Sequence, residues 1–186
     1  MLILAIETSC DETAVSVVEG WGGLRHPGFR VLAHIVSSQV KLHARWGGVV
    51  PSLAKREHGK NLIPVLKRAL GSAKLIKLKG SIKATPWGAK GVALGSIKKI
   101  LEREPELLKQ FLEFIPTIVG PKIDAIAVTS GPGLEPALWV GINFARALSY
   151  VWDIPVIPCN HMEGHVLTAM IRKENNLYKI LDKETK

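Results

Sequence analysis

The N-terminal third of the chain constrains the fold most, because it holds three apolar segments with no room for a helix between them. Residues 2–6, 14–18 and 30–36 have the length and composition of β-strands. A polar turn at 8–13 joins the first two, and a glycine-containing loop at 20–29 joins the second to the third. Parallel strands would need a crossover of about a dozen residues or more. The three strands are therefore predicted to form an antiparallel meander.

Helices and strands alternate in most of the remaining chain. A helix is predicted over 53–70, with Pro51 at its start, Gly71 at its end, and a kink or division at Pro64. A strand at 123–128, a helix at 137–151, a strand at 156–157 and a helix at 161–170 follow. A three-strand meander followed by this alternation predicts an α/β fold, with the element order of a ribonuclease-H-like lobe.

The segment 72–120 departs from this alternation. It holds eight lysines and one arginine against four glutamates, and glycines interrupt its first half. Apolar residues recur with helical spacing from 96 to 115, with a break at Pro105. We interpret 72–120 as a basic insertion carrying an amphipathic helix in two pieces. A solvated segment packed on the lobe is favoured over a tRNA-binding arm, since charge runs usually keep a face solvated.

Composition describes a globular, basic protein. Hydrophobic residues make up 47% of the 186 residues, and the formal charge is +9 with a pI near 9.7. That charge suits a polyanionic partner such as tRNA, although charge alone is weak evidence. No apolar run reaches the roughly 18 residues that span a bilayer, so no membrane association is expected. Two cysteines and no signal-peptide pattern predict a cytoplasmic location.

A polar turn between the first two strands is the first candidate site. Glu7-Thr8-Ser9-Cys10-Asp11-Glu12-Thr13, here called the acidic turn, combines three carboxylates with three hydroxyls. Carboxylates hold metals or accept protons, and hydroxyls face phosphate oxygens. An ordinary polar turn, in which short side chains bond to their own backbone, is an equally good interpretation of the spacing.

A glycine loop follows the strand predicted at 123–128. The loop is Ser130-Gly131-Pro132-Gly133-Leu134, and it precedes a helix. Ligands of open α/β sheets bind at this end of the strands, where glycines permit close backbone approach. Pro136 stands where a dinucleotide fingerprint would have its third glycine, and no P-loop lysine follows. A tight strand-to-helix turn remains the alternative.

Polar residues between 37 and 58 are less specific. Gly47-Gly48 predicts a bend that lets a loop fold over something, and a lone helical histidine such as His58 is typical of a capped or surface position.

His161 and His165 form the most specific feature of the sequence. Residues four apart share one helix face, so the two imidazoles can hold one metal ion between them. A zinc peptidase would need a glutamate directly after the first histidine, whereas Glu163 stands two residues on, about 200° around the helix. Two ligands do not complete a site. Cys159, Asp11 and His34 are conceivable third ligands, and the sequence selects none of them.

Six motifs, taken in order, resemble the TsaD/Gcp family of tRNA threonylcarbamoyladenosine transferases. The motifs are Ile6-Glu7-Thr8-Ser9-Cys10-Asp11-Glu12-Thr13, Ser37-Ser38-Gln39, Gly47-Gly48-Val49-Val50-Pro51, Arg56 with His58, residues 123–128 with Gly131-Pro132-Gly133-Leu134, and Asn160-His161-Met162-Glu163-Gly164-His165. The resemblance implies one lobe of an actin-like ATPase (ASKHA) fold. It also implies transfer of a threonylcarbamoyl group from threonylcarbamoyl-adenylate to N6 of adenosine 37 in tRNAs that read ANN codons.

The resemblance further implies roles for individual residues. His161 and His165 match metal ligands for one divalent ion, iron or zinc, and Asp11 and Glu12 match acidic residues near the reaction centre. Thr8, Ser9 and the loop Ser130 to Leu134 (Ser130, Gly131, Pro132, Gly133, Leu134) match the substrate-binding cleft. The expected partners are tRNA, threonylcarbamoyl-adenylate, and TsaB-like and TsaE-like proteins. Whether a nucleotide binds is left open.

The chain departs from the family in its extent and in the segment 72–120. The family's third metal ligand, an aspartate, belongs to a second lobe. We expect residues 1–71 and 121–172 to form the first lobe, and 173–186 to form a tail leading toward the second. The chain alone is therefore expected to be inactive. The alternative is a non-catalytic TsaB-like scaffold, although such paralogues lack the histidine pair that this chain keeps.

Overall fold

A computed structural model describes residues 1–23, 26–79, 94–174 and 177–180. It contains seven strands: β1 (Leu2–Glu7), β2 (Glu12–Trp21), β3 (Gly28–Ser38), β4 (Ala125–Gly131), β5 (Val156–Asn160), β6 (Ile171–Glu174) and β7 (Leu177–Ile180). The helices are α1 (Val40–His43), α2 (Pro51–Ser72), α3 (Leu94–Ile100), α4 (Pro105–Phe114), α5 (Glu135–Trp152) and α6 (His161–Ala169). Short 3-10 turns lie at Ala44–Trp46 and Ile115–Thr117. Within the described ranges, no helix has the length and apolar character needed to cross a membrane.

The seven strands form one sheet in the order β5-β4-β1-β2-β3-β7-β6. β1, β2 and β3 pair antiparallel, which confirms the predicted meander. β4 pairs parallel with β1, and β5 pairs parallel with β4. This arrangement of three antiparallel strands flanked by two parallel ones confirms the α/β, ribonuclease-H-like lobe predicted from the element order.

The two faces of the sheet have different environments. Leu4, Ile6, Val15 and Val17 point to the face that α2 and α5 cover, and all four are buried. Because successive strand residues point to opposite faces, their neighbours point the other way. Ala5, Glu7, Ser16, His34 and Thr129 accordingly line an open cleft of about 520 Å³ beside α6. The sheet therefore has a packed face and a face that holds a cleft.

Both helices of the segment 72–120 belong to the hydrophobic core. Ile97, Leu101, Leu107 and Phe111 are fully buried, and the Phe111 ring meets Phe144 of α5 edge to face with centroids 6.2 Å apart. The predicted two-piece helix is confirmed, since α4 begins at Pro105. The charged residues of α3 and α4 are exposed, whereas Glu104 between the two helices is buried beside Lys55, at 3.5 Å. The described part of the segment therefore packs on the lobe. Residues 80–93 of the predicted insertion lie outside the described ranges.

Of the kink or division predicted at Pro64, the division is wrong, because α2 runs on to Ser72. Proline removes one N–H and so leaves the carbonyl four residues earlier, that of Lys60, without its helical donor. The Gln110 side chain of α4 donates to that carbonyl at 3.3 Å. Packing of α4 on α2 thus supplies the donor that Pro64 lacks. Gly71 likewise lies within the last turn of the helix and does not end it.

Strands β6 and β7 were not predicted from the sequence. They form a hairpin whose second strand pairs antiparallel with the start of β3, at Gly28 and Phe29. The Phe29 ring stacks on Tyr178 with centroids 5.1 Å apart. Part of the predicted tail 173–186 is therefore strand, and residues 181–186 lie outside the described ranges.

Truncating Phe111 tests whether α4 belongs to the core. Phe111→Ala removes a fully buried ring, so we expect it to lower the free energy of unfolding by about 3–5 kcal/mol. Lys109→Ala, on the exposed face of the same helix, should change it by less than about 0.5 kcal/mol. Chemical denaturation of both variants measures the difference. Equal free energies of unfolding for Phe111→Ala and Lys109→Ala would show that α4 does not contribute to the core.

Candidate metal and substrate site

The histidine pair lies on the first two turns of α6. Asn160 caps this helix, since its Oδ1 accepts the backbone N–H groups of Met162 at 2.8 Å and Glu163 at 3.1 Å. His161 and His165 share one face, as predicted, with their Nε2 atoms 3.0 Å apart. Two cis ligands at metal–nitrogen distances of about 2.0–2.1 Å lie about 3–3.4 Å from each other. The two nitrogens thus have the spacing of ligands to one metal ion.

The other ring nitrogen of His161 contacts the acidic turn. His161 Nδ1 lies 3.4 Å from Glu7 Oε2 and 3.3 Å from Ser9 Oγ. A carboxylate oxygen only accepts, so this contact assigns the proton to Nδ1 and leaves the Nε2 lone pair facing His165 Nε2. Carboxylates commonly hold metal-binding histidines in this way. Glu7 therefore orients His161 and selects the tautomer that can bind a metal.

Three hydrogen bonds keep Glu7 ionised. Its Oε1 accepts the Ser9 N–H at 2.5 Å, and its Oε2 accepts the Thr129 hydroxyl at 2.5 Å. Burial acts to raise the pKa of Glu7, but the hydrogen bonds from Thr129, Ser9 and His161 outweigh it and lower the pKa below its ordinary value. Glu7 is thus a fixed negative charge behind the histidine pair.

The glycine loop packs directly on the acidic turn. The Leu134 N–H donates to the Ser9 carbonyl at 2.8 Å, and the Thr8 hydroxyl donates to the Ala137 carbonyl at 3.0 Å. A Cβ on Gly133 would lie 2.7 Å from the Ser9 carbonyl oxygen, too close for any side chain. The absence of a Cβ at Gly133 therefore lets the loop and the turn form one rigid wall of the site.

His58 supports the acidic turn from inside the protein. It is fully buried, which corrects its interpretation as a capped or surface residue. Its Nδ1 accepts the Thr13 hydroxyl at 2.8 Å, and its Nε2–H donates to the Cys10 carbonyl at 3.0 Å. Burial lowers the pKa of His58, only partly offset by the bond to the Cys10 carbonyl. A neutral imidazole thus connects the middle of the turn, at Cys10, to its end at Thr13.

The structure places the other predicted residues at different distances from the histidines. Glu12 lines the cleft with His161 and His165, whereas Asp11 is not among its described lining residues. The Asp11 backbone carbonyl instead accepts the Gln39 N–H at 2.8 Å. Ser130 Oγ donates to the Cys159 carbonyl at 3.3 Å, at the rim formed by β4 and β5.

No third metal ligand is assembled within the described residues. Cys159 and His34 line the same cleft, but no three histidine, cysteine or acidic side chains of the described ranges come together as a metal site. His34 is held by Ser16, whose Oγ lies 2.7 Å from His34 Nδ1. Within the described ranges, the site therefore offers the two imidazole nitrogens of His161 and His165 without a third side chain grouped with them as a metal site.

Glu7 and Thr129 were not assigned roles from the sequence. Both lie at the carboxyl ends of strands, and β1 pairs with β4 so that Ile6 is opposite Val128. Each next residue, Glu7 and Thr129, therefore lies beside the other on the cleft face. Strand alternation predicts which face of the sheet each side chain occupies, but only the β1–β4 register shows that Glu7 and Thr129 are neighbours.

The fold and the site together define a ribonuclease-H-like α/β lobe with a carboxylate-supported histidine pair at the carboxyl ends of its parallel strands. The model of the family described as tRNA N6-adenosine threonylcarbamoyltransferase, TsaD, matches residues 30–79 and 99–181. The chain belongs to this family. The unmatched internal stretch is 80–98, which is shorter than the insertion 72–120 inferred from the resemblance, so α4 has a counterpart in the family.

Two curated relatives show the extent of the similarity. The tRNA N6-adenosine threonylcarbamoyltransferase of Thermomicrobium roseum is 41% identical over 167 residues, which cover 89% of this chain and 32% of the relative. That of Persephonella marina is 38% identical over 174 residues, 94% of this chain and 36% of the relative. The chain thus spans about a third of the length of these relatives.

Among solved structures, YeaZ from Pseudomonas aeruginosa is 16% identical, with a TM-score of 0.42 over 98% of this chain and 61% of that one. Thermus thermophilus RuvC is 14% identical, with a TM-score of 0.36 over 91% of this chain and 68% of that one. Likeness at this level carries no conclusion about function.

The buried position of His58 predicts a pH-dependent stability. Because its pKa is lower in the folded state, the unfolded state binds more protons below about pH 6.5, and the free energy of unfolding falls as the pH drops through that range. His58→Gln removes this contribution. We expect the variant to be less stable at pH 7.5 by about 1–3 kcal/mol, because buried hydrogen bonds are lost, and the gap to the parent to narrow at pH 5.

Denaturation of parent and variant across this range measures the gap, and the exposed His26→Gln serves as the control. A gap that stays constant with pH would show that His58 has an unshifted pKa.

Proposed function

We propose that this chain supplies the metal–histidine lobe for transfer of the threonylcarbamoyl group from threonylcarbamoyl-adenylate to N6 of adenosine 37 in tRNA. Family membership supports tRNA modification in general. The observation that carries the specific proposal is the convergence of His161 and His165 Nε2 atoms, with Glu7 behind His161. A scaffold protein would have no use for that arrangement.

The residues of the chain support binding of one divalent metal, iron or zinc, through His161 and His165. When bound, such an ion acts as a Lewis acid toward carbonyl and phosphate oxygens of the adenylate. Glu7 and Ser9 hold the His161 ring, so its orientation is set before any ion arrives. The remaining ligand is proposed to come from the part of the protein that the relatives have and this chain does not match.

The acyl transfer needs a base and a shaped cleft. The N6 amine forms a bond to the carbamoyl carbon, the bond from that carbon to the adenylate oxygen breaks, and the amine loses one proton. Glu12 lines the cleft and is exposed, so it is the carboxylate we assign to accept that proton. Asp11 is not among the described cleft-lining residues, and we assign it to hold the turn through its carbonyl, which accepts the Gln39 N–H. The backbone of the loop from Ser130 to Leu134 packs against the acidic turn. We place the adenylate against the wall that the loop and the turn form together.

The partners follow from the same proposal. The charge of +9 suits tRNA, and TsaB-like and TsaE-like proteins are the proposed protein partners in a cytoplasmic complex.

Metal analysis of purified variants tests the ligand assignment. We expect His161→Ala and His165→Ala to lose most bound zinc or iron, since a single imidazole is left. Glu7→Gln should keep both ligands but weaken metal affinity by about 10- to 100-fold, the usual effect of removing a supporting carboxylate. Competition with a chelating dye measures affinity, and the exposed His26→Ala is the matched control.

Equal metal content in His161→Ala and the parent would contradict the ligand assignment. Unchanged affinity in Glu7→Gln, with loss in the histidine variants, would contradict only the orienting role of Glu7.

Activity of the isolated chain tests whether this lobe is sufficient. Because only two metal ligands come together in the described residues, we expect no threonylcarbamoyl transfer to tRNA above background. The measurement is incorporation of labelled threonine into tRNA with pre-formed adenylate. Robust turnover by the purified chain would show that the site is complete without further protein.

A further inference from the structure

An exposed, basic loop lies beside the acidic turn. It runs from Val40 to Val50, through α1 and the following 3-10 turn, and is called the Trp46 loop. Trp46 is 69% exposed, the highest value among the large exposed apolar side chains apart from Leu78. Lys41 and Arg45 are also exposed, and the loop contains no acidic residue. Neither cation takes part in an ion pair among the described contacts.

The Trp46 loop is held rigidly at both ends. His43 is buried, and its Nδ1 accepts the N–H of Val50 at 3.3 Å, so one imidazole closes the loop. Its Nε2–H donates to Gln39 Oε1 at 3.0 Å. Gly47 makes the bend with a φ of 69°, a conformation that side chains disfavour. A pre-ordered loop loses little conformational entropy when it binds.

The same hydrogen bonds connect the Trp46 loop to the candidate site. Gln39 donates its backbone N–H to the Asp11 carbonyl at 2.8 Å, and its side-chain amide lies 3.3 Å from His58 Nδ1. His58 in turn donates to the Cys10 carbonyl. His43, Gln39 and His58 therefore form one buried network, with the Trp46 loop at one end and the acidic turn at the other.

We propose that the Trp46 loop is a contact surface for a single-stranded RNA loop. Trp46 stacks on an unpaired base, and Lys41 and Arg45 contact the flanking phosphates. Exposed aromatic side chains among cations are the usual platform for unpaired bases, because every base offers a π-face while the cations neutralise the backbone. This inference rests on the proposed function, since it identifies how the tRNA would be held next to the acidic turn.

A protein partner is the competing occupant for an exposed tryptophan. Two cations without an acidic neighbour, and no cluster of other aromatic residues in the loop, favour a polyanion. Binding of a protein partner in place of RNA is therefore one of the outcomes that the test distinguishes.

Binding of an RNA hairpin with an unpaired, adenosine-containing loop tests the proposal. Fluorescence anisotropy gives the dissociation constant at several potassium chloride concentrations. We expect Trp46→Ala to weaken binding by about 5- to 150-fold, the range that loss of one stacked base produces, and Trp46→Phe to retain most of it. Lys41→Gln with Arg45→Gln should reduce the salt dependence, by a slope of about 0.7 for each lost phosphate contact.

Trp21→Ala is the matched control. Trp21 is also exposed, at 45%, but it ends β2 at the opposite end from Glu12. Because a strand rises about 3.3 Å per residue, Trp21 lies too far from the acidic turn to contact the base that stacks on Trp46. Its removal should leave hairpin affinity unchanged.

Three results would overturn the proposal. They are equal hairpin affinity in Trp46→Ala and the parent, no hairpin binding by the parent, and loss of a TsaB-like partner in Trp46→Ala with hairpin affinity intact. Metal content separates this inference from the proposed function. Trp46→Ala should keep its metal and lose hairpin affinity, whereas His161→Ala should lose metal and keep hairpin affinity.

Discussion

The parallel pairing of β1 with β4 is the constraint on which the site depends. Parallel strands end at the same edge of a sheet, and the register with Ile6 opposite Val128 brings Glu7 beside Thr129. β5 extends the same edge and delivers Asn160, which caps the histidine helix. Residues that are far apart in sequence thereby share one carboxylate-centred cluster. Without this register, the acidic turn, the glycine loop and the histidine pair would be three separate polar segments.

The charge states of Glu7 and His58 follow from their burial and from the hydrogen bonds that each of them makes. Glu7 is partly buried yet ionised, because the Ser9 N–H and the Thr129 hydroxyl replace the water it gave up. Its charge in turn fixes the tautomer of His161. His58 is buried and neutral, with both ring nitrogens bonded to the acidic turn, at Thr13 and Cys10. The turn thus begins at a charged carboxylate that is fully hydrogen-bonded and is supported further on by a neutral imidazole.

Sequence patterns predicted the strands and helices of the lobe better than the side-chain contacts that support its site. Period-two and helical spacing located every strand of the meander and every long helix, because those patterns are local. The burial of His58, the contact of Glu7 with His161 and the donor that Gln110 provides to Lys60 involve residues far apart in the chain. Local spacing contains no information on such pairs. The β6–β7 hairpin was missed for the same reason, since its strands are short and its stability comes from pairing with β3.

The segment 72–120 shows how one helix divides charge from apolar surface. Its nine basic residues and its helical apolar spacing predicted an amphipathic helix packed on the lobe, and Ile97 and Phe111 are fully buried. Net charge describes the exposed face of an amphipathic helix, whereas the apolar face decides where the helix packs. Residues 99–120 also match the family. In the described part of the segment, the basic side chains of α3 and α4 therefore lie on the exposed face of helices that pack on the lobe.

By itself, the sequence determined the class of fold, the family motifs and the placement of His161 and His165 on one helix face. Each of these depends on residue types at short spacing, which local sterics and periodicity translate directly into structure. Only the tertiary structure decided which carboxylate meets which histidine. Glu7 faces His161, Glu12 lines the cleft, and the Asp11 carbonyl accepts the Gln39 N–H. Those choices depend on strand register and on which face of the sheet each side chain occupies, and the spacing within the turn does not specify either.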